Sequence, residues 1–502
     1  MFNTKLGRDP ALLPPMEIEV DESMWCRNVN KGPARNQTLE KQAEVQKQVL
    51  AMLANGVIST SQASHYSQVH LTPKPVHEQI ETIGPAVALD NDTHHSTIQS
   101  NLSVSKKLGW RFCIDFRSLN ICCKSMGWPI PNIRHMLQRI GNRRPKFFGK
   151  IDLTAGYHQA PVAKASRGFT AFITHLGLYE WNRVAMGLKG AAPWFQNMLA
   201  MVVLATVIYI ICELYIDDLL IFGNTEDEFC ENLDRVFTRL VMFNITVNPD
   251  KCELGVEQLE FVGHVVNEHG LTHTRERIDK VLQIPPPEKG KDLKSFLGVA
   301  VYVCDHIRNY ATIVHPLHAM LKDYSRERRL VWTQEGRDAF EEIKTAINAC
   351  TMLYFIDDVN EVKLYTDASD FGIGGYLCQV IDGKEVPIAF ISKSLSEQEI
   401  NWSTIEKECY AIVYCLNKLN YLLSNRKFVL KTDHLNLTFM DADTNPKVKR
   451  WKLSIQHYDA EIEYITGPSN IMADPMSRLV ASNKLSKGDM ASLPTQLRSY
   501  VK

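Results

Sequence analysis

Residues 214–222 read LYIDDLLIF, placing two adjacent carboxylates, Asp217 and Asp218, between the apolar runs 208–212 and 219–222. A turn between short buried strands tolerates one aspartate easily. A doubled charge repels itself unless a cation sits between or beside the two carboxylates. A divalent metal is one such cation. The other reading is an ordinary solvated Asp-Asp hairpin turn, which on these residues alone is the commoner outcome.

Upstream, the apolar run 198–212 stops short of the roughly 20 residues that a membrane-spanning helix needs, and Glu213 closes it. A buried helix running into a strand is expected there. Further upstream Asp152 ends the stretch FFGKID, residues 147–152, and LTAGY follows. Three strand-end aspartates suit two metals. Nucleotidyl transfer needs one ion to activate a 3′-hydroxyl and another to hold the triphosphate, about 4 Å apart, and carboxylates on neighbouring strands can provide that. Taken alone, Asp152 reads rather as a strand-end cap.

The totals fit several globular units: 502 residues, 45% hydrophobic and 23% charged, imply about three or four of them. With 56 Lys+Arg against 57 Asp+Glu the net charge is -1, so any nucleic-acid surface must be local. Basic clusters occur at Arg139, Arg143, Arg144, Lys146 and Lys150, at Arg326, Arg328 and Arg329, and at Lys447, Lys449, Arg450 and Lys452. Solvated faces explain most such runs. The 12 cysteines include no Cys-x-x-Cys pair, which argues against a zinc ribbon and fits reduced, intracellular thiols. The N-terminus lacks the basic and apolar segments of a signal peptide.

Along the chain, residues 1–38 look irregular, and a helix is expected between Thr38 and Asn55, with Val45, Val49, Leu50 and Leu53 at helical spacing. Residues 76–105 are polar and patternless. From Trp110 the pattern becomes α+β. Pro285, Pro286 and Pro287 punctuate a boundary before a helical unit, and a second strand-rich domain opens near Lys363. There the stretch KLYTDAS ends a strand at Asp367, and FVLKTD ends another at Asp433. On the expected helix 404–419, Glu408 lies on the apolar stripe while Glu406 and Lys407 largely do not. An inward carboxylate needs a partner. Asp474, followed by Pro475, reads well as a helix N-cap.

RFCIDFRSLN (111–120), IDLTAGYHQ (151–159), GLYE (177–180), GLKGAAPWFQ (187–196) and LYIDDLLIF occur in the order seen in reverse transcriptases. VNPDKC (247–252), FVGH (261–264) and LKSFLG (293–298) continue the likeness, which resembles the gypsy-type branch of LTR retrotransposon Pol polyproteins over roughly residues 40–480. The resemblance implies a multidomain α+β chain: a right-hand polymerase with fingers, palm and thumb, then a ribonuclease H-like α/β domain. It implies an irregular segment at 1–38, fingers and palm at 39–284 with an insertion at 76–105, a thumb or connection-like helical region at 285–360, the ribonuclease H-like domain at 361–480, and a polar tail at 481–502.

By this similarity Asp152, Asp217 and Asp218 carry the polymerase metals, and Arg111 contacts the incoming triphosphate with its forked guanidinium. Tyr157 crowds the sugar 2′ position, a buried core tyrosine being the alternative reading. Gly187 keeps the backbone glycine near the nucleotide, although the family's Pro-Phe-Gly is Ala185-Met186-Gly187 here. Lys74, or else Lys106 or Lys107, supplies the finger lysine. Phe261 and Gly263 resemble the segment that positions the primer terminus, an apolar strand beside a turn being the alternative reading. Asp367, Glu408, Asp433 and Asp474 resemble the two-metal ligands of ribonuclease H. Tyr464 stands where some relatives carry a catalytic-loop histidine, so cleavage slower than theirs is expected.

The implied cofactor is Mg²⁺ or Mn²⁺, two ions per active site. The implied partners are RNA and DNA template-primers, RNA:DNA hybrids and dNTPs, with a homodimer allowed and no membrane. The implied location is intracellular, in a cytoplasmic virus-like particle with access to the nucleus. Neither an Asp-Thr/Ser-Gly triplet nor a His-His/Cys-Cys zinc module occurs, so a piece of a polyprotein is expected. The alternative is a degenerate or domesticated fragment that binds nucleic acid without polymerising.

Overall fold

The computed structural model describes residues 2–26, 32–73, 109–124, 127–308, 310–322, 329–370, 372–434 and 445–466. Lys74, Lys106, Lys107, the expected insertion at 76–105, Asp474 and the tail lie outside them. Two compact units result: Met1–Pro131 with Gly149–Gly255, and Asn132–Phe148 with Val256–Lys502.

The first unit holds two sheets. One has the order β1-β6-β5-β2-β3, from β1 (Ile58–Thr60), β2 (Ser67–Pro73), β3 (Trp110–Ile114), β5 (Phe172–Thr174) and β6 (Gly177–Trp181). In β2 Ser67, Val69 and Leu71 point inward and alternate with more exposed residues, as a strand with one covered face requires. The other sheet has the order β7-β8-β4-β9, from β4 (Phe147–Asp152), β7 (Cys212–Tyr215), β8 (Asp218–Gly223) and β9 (Glu253–Val256). After Asp218 every residue of β8 is buried, as expected of a strand covered on both faces.

The helix Glu226–Met242 covers that sheet through Phe229, Val236 and Leu240, and the Thr225 side chain caps it by accepting from the Glu228 amide. Gly223 makes the approach possible, since a Cβ there would lie 2.7 Å from the Phe229 nitrogen. The expected helix at 38–55 is Leu39–Ala54, with Thr38 at its N-cap. Among the described residues of 1–38 there is one short helix, Glu22–Cys26, yet these residues are packed rather than loose. Ala11, Leu13, Met16 and Ile18 are buried, and isolated bridges tie Phe2 to Val247 and Met16 to Val162. In the apolar run 198–212, the helix Ala191–Met198 passes into a π-helical turn, Leu199–Val203, and then a tight turn into β7. No helix among the described residues is long and apolar enough to cross a membrane.

The second unit has a sheet of order β10-β11-β12-β13, from β10 (Gln258–Phe261), β11 (His264–Asn267), β12 (Gly270–Thr272) and β13 (Leu353–Tyr354). Its helices Arg275–Leu282, Gly290–Ala300, Tyr310–Lys322 and Gln334–Asn348 share a core around Phe296, Leu317, Phe340 and Ile343. Helical structure thus begins on the near side of the proline run, which separates two helices of one bundle. The last sheet has the order β16-β15-β14-β17-β18, from β14 (Val362–Ala368), β15 (Gly372–Ile381), β16 (Lys384–Ser394), β17 (Phe428–Thr432) and β18 (Ala460–Tyr464). β14, β17 and β18 run parallel, and the helix Thr404–Lys418 packs on this sheet through Cys409, Ile412 and Leu416. Gly375 admits it, because a Cβ there would lie 2.5 Å from the Cys415 sulfur.

Two candidate carboxylate sites

β7 and β8 pair antiparallel up to Tyr215↔Asp218, so Ile216 and Asp217 alone form the turn. Ile216 has φ 60°, in the left-handed region that a β-branched residue rarely enters. Such strain persists only where surrounding structure imposes it. Gln196, 1% exposed, imposes it here: its Oε1 accepts from the Ile216 amide at 2.6 Å, and its Nε2 donates to the Leu214 carbonyl at 3.2 Å. In the sequence Gln196 is simply the last residue of GLKGAAPWFQ. The available signal was a polar side chain beside Trp194 and Phe195 on a buried helix, the same signal that singled out Glu408.

Asp152 ends β4, which lies beside β8 in the sheet. Burial raises the Asp152 pKa, and Asp218 adds to the rise while Lys251 and Lys150 oppose it. Burial and then Asp218 likewise raise Asp217. Asp217 is exposed along the turn, so solvent screens part of that effect. Lys150 Nζ stands 3.9 Å from Asp218 Oδ1. Tyr157 packs on Phe195 with ring centroids 5.2 Å apart, and burial followed by the Asp217 charge pushes its phenol up to about 12. The three acids and Tyr157 therefore share one electrostatic site.

Arg111 and Gly187 stand on other elements of the same unit. Arg111 is exposed on β3, opposite Thr72. Gly187 has φ 88°, and its loop is clamped by Asn120, whose Nδ2 donates to the Gly187 carbonyl at 2.9 Å and whose Oδ1 accepts from the Lys189 amide at 2.7 Å. Beside it Ala185 is buried and Met186 exposed. In the second unit, Val262 and Gly263 both have positive φ and turn β10 into β11, with Phe261 fully buried.

The second acid cluster is built differently. Asp367, 2% exposed, lies on β14; Glu408, 4% exposed, on the helix Thr404–Lys418; Asp433 directly follows β17. β14 and β17 run parallel through Tyr365↔Lys431, a register that leads Asp367 toward Asp433. One carboxylate oxygen from each of the three lies within 4.8 Å of the others. Glu408 Oε1 also accepts from the Ala368 amide at 3.2 Å. Glu406 turns away to cap its own helix, accepting from the Ser403 amide at 2.9 Å. Lys407 departs from the sequence reading. It is 6% exposed, burying its methylene stem while Nζ meets Asp370 at 2.8 Å. Tyr464 ends β18 opposite Thr432 and is 47% exposed.

Residues 104–266 match the family model described as reverse transcriptase (RNA-dependent DNA polymerase), and residues 357–458 the one described as an RNase H-like domain found in reverse transcriptase. The retrovirus-related Pol polyprotein from transposon opus of Drosophila melanogaster is 31% identical over 522 aligned residues, covering 99% of this chain and 49% of that protein. The polyprotein from transposon gypsy of the same organism is 34% identical, covering 77% of this chain and 38% of that protein. A foamy viral protease-reverse transcriptase in complex with dsDNA shares the fold, with a TM-score of 0.74 at 21% identity, over 91% of this chain and 88% of that one. The chain spans about half or less of the length of these curated relatives. Each acid cluster falls inside its own matched segment.

Proposed function

Because the chain belongs to the retrovirus-related Pol polyproteins of LTR retrotransposons, we propose that it is an RNA-directed DNA polymerase that also cleaves the RNA strand of RNA:DNA hybrids. The observation that carries this is the pair of separate carboxylate clusters, one in each matched segment.

Both clusters fit divalent cations. Their donors are hard carboxylate oxygens brought together at a cost that a cation offsets, a donor set suited to Mg²⁺ or Mn²⁺. When bound, two such ions per site would activate the attacking oxygen and stabilise the charge that develops on the phosphate. Asp152, Asp217 and Asp218 hold the ions of the polymerase site, with Lys150 and Lys251 moderating the carboxylate charge. Arg111 takes the triphosphate of the incoming dNTP, the Gly187 backbone lies beside the nucleotide, and Tyr157 bounds the sugar. Lys74, or else Lys106 or Lys107, serves as the finger lysine. Asp367, Glu408, Asp433 and Asp474 hold the ions of the ribonuclease site.

The substrates are RNA or DNA template-primers and hybrids, recognised through backbone charge and duplex shape, so salt weakens binding strongly. Solved relatives bound to an RNA/DNA hybrid and to dsDNA support this substrate class. The test is primer extension on an RNA template with Mg²⁺ or Mn²⁺. Incorporation of dNTPs that Asp217→Asn abolishes is expected, and silence from the unaltered chain would favour the non-polymerising fragment. Deleting residues 76–105 is the companion experiment, since rescue of a silent chain would locate the lesion there.

A further inference from the structure

Three histidines converge in the second unit, away from the carboxylates of its ribonuclease site. His264 opens β11, His273 follows β12, and His306 ends the 3-10 helix Val301–His306. One ring nitrogen from each lies within 4.8 Å of the other two. Ring centroids are 5.1 Å apart for His264 and His273, and 4.4 Å apart for His273 and His306. His273 and His306 are buried and His264 half-buried.

Hydrogen bonding leaves the cluster short of partners on its inner side. His306 Nδ1 lies 2.9 Å from the Thr351 carbonyl, which can only accept, so the proton sits on Nδ1 and the Nε2 lone pair is free. Neither ring nitrogen of His273, nor Nδ1 of His264, makes a hydrogen bond of normal geometry. The Gly263 carbonyl accepts from Arg277 Nη1 at 2.7 Å, and its second lone pair draws weakly on His273, opposing the larger effect of burial on that imidazole. Packing against Tyr302, stacked for His264 and tilted for His273, accounts for the rings but leaves His264 Nδ1 and at least one His273 nitrogen unsatisfied.

We propose that His264, His273 and His306 form a site for one borderline-soft divalent metal, Zn²⁺ by preference, that ties the β10–β13 sheet to the helical segment beside it. Three imidazoles with a fourth position left to water are a recurrent Zn²⁺ donor set. The adjoining cavity of about 220 Å³, lined in part by His264, Tyr302, Asp305 and His306, has room for that water. The Thr351 carbonyl supplies the outer-sphere bond that fixes a ligating imidazole. Burial holds all three imidazoles below the ordinary histidine range, so their lone pairs are available at neutral pH. Two cations stand near: Arg277, over the Tyr302 ring, and Arg134, paired with Asp305 at 2.5 Å. Their repulsion lowers the affinity without changing the metal class, because neutral imidazoles bind hard Mg²⁺ poorly.

The test uses the full chain, stripped with chelator and returned to excess Mg²⁺ so that the carboxylate sites are occupied. Titration with Co²⁺ is expected to give one equivalent bound, with the visible absorption of a four-coordinate site, and Zn²⁺ is expected to displace it. His273→Ala and His306→Gln should each weaken binding at least about tenfold while dNTP incorporation persists. Near-ultraviolet circular dichroism checks that each variant folds, and the conservative His306→Gln decides if His273→Ala does not. No Co²⁺ or Zn²⁺ bound by the unaltered chain under excess Mg²⁺, or binding unchanged in a folded variant, overturns the proposal.

Discussion

The acids at 152, 217 and 218 gather around a strained turn, whereas Asp367 and Glu408 are sealed between a strand and the helix packed on it. At the turn Asp217 is exposed, and the Asp218 side chain keeps 35% of its surface with Lys150 at 3.9 Å. Under the helix, Asp367 and Glu408 keep 2% and 4% of theirs. Among the described residues the second trio closes to 4.8 Å and the first does not. The difference lies in what positions the charge. One buried glutamine and one left-handed isoleucine place the first cluster; a whole core around Leu364, Cys409, Leu416 and Leu430 places the second. Damage to the turn should therefore be local and graded, and damage under the helix should also unsettle the core.

The hardest break of this comparison is a crossed pair of substitutions. Asp217→Asn should lower dNTP incorporation at least about a thousandfold, since a lost cation ligand removes several kcal/mol of transition-state stabilisation. Hybrid cleavage should stay near the parent rate. Glu408→Gln should do the reverse. Primer extension and hybrid cleavage, run on the same preparations, measure both. If either substitution silences both activities, the clusters do not act separately.

The turn itself is tested more gently by Gln196→Leu. Without the amide, the Ile216 N–H and the Leu214 carbonyl lose their buried partner, costing about 1–3 kcal/mol, and Ile216 is freed to leave φ 60°. Incorporation should fall roughly ten- to a hundredfold, with the unfolding midpoint reduced and hybrid cleavage unaffected. Unchanged incorporation would mean that something other than Gln196 holds the hairpin.

These two clusters were also unequally legible. The doubled aspartate was visible because charge between two apolar runs is a local anomaly, and a two-residue turn needs only a few letters to encode it. Glu408 was visible because a helix has a period and the carboxylate fell on its buried stripe. That rule missed Lys407, since a long stem can be buried while its charged end reaches Asp370. Gln196 and Asn120 went unassigned because each satisfies backbone groups distant in sequence, and no local pattern marks such a bond. Residues 1–38 read as irregular because they pack by isolated bridges and single apolar anchors, which leave no period.

A smaller effect is expected at the edge of the ribonuclease cluster. Tyr464 ends β18 opposite Thr432, one residue before Asp433. An imidazole changes ionisation state near neutral pH and so can relay a proton, whereas a phenol in general does not. Tyr464→His should quicken hybrid cleavage by up to about tenfold and give the rate a pH dependence near the ordinary histidine range. No gain in turnover would mean that proton relay is not what limits this site.

The smallest expected effect concerns stability and separates a charged turn from a neutral one. Burial and the neighbouring Asp218 raise the Asp152 pKa above its unfolded value, so without metal the ionised carboxylate costs the fold stability. Below the ordinary carboxylate range Asp152 is protonated in both states and the cost is absent. The cost appears as pH rises, and is complete once pH has passed through the raised value of the folded state. In chelator, Asp152→Asn should therefore be more stable than the parent at pH 7, with the gap closing as pH falls through the raised value and gone below about 4. Excess Mg²⁺ at pH 7 should narrow or reverse the gap, because only the parent has its full ligand set. Urea midpoints across pH, with and without Mg²⁺, measure this. A variant less stable than the parent in chelator at pH 7 would show that Asp152 is already stabilised by its lysines, and that the turn does not await a cation.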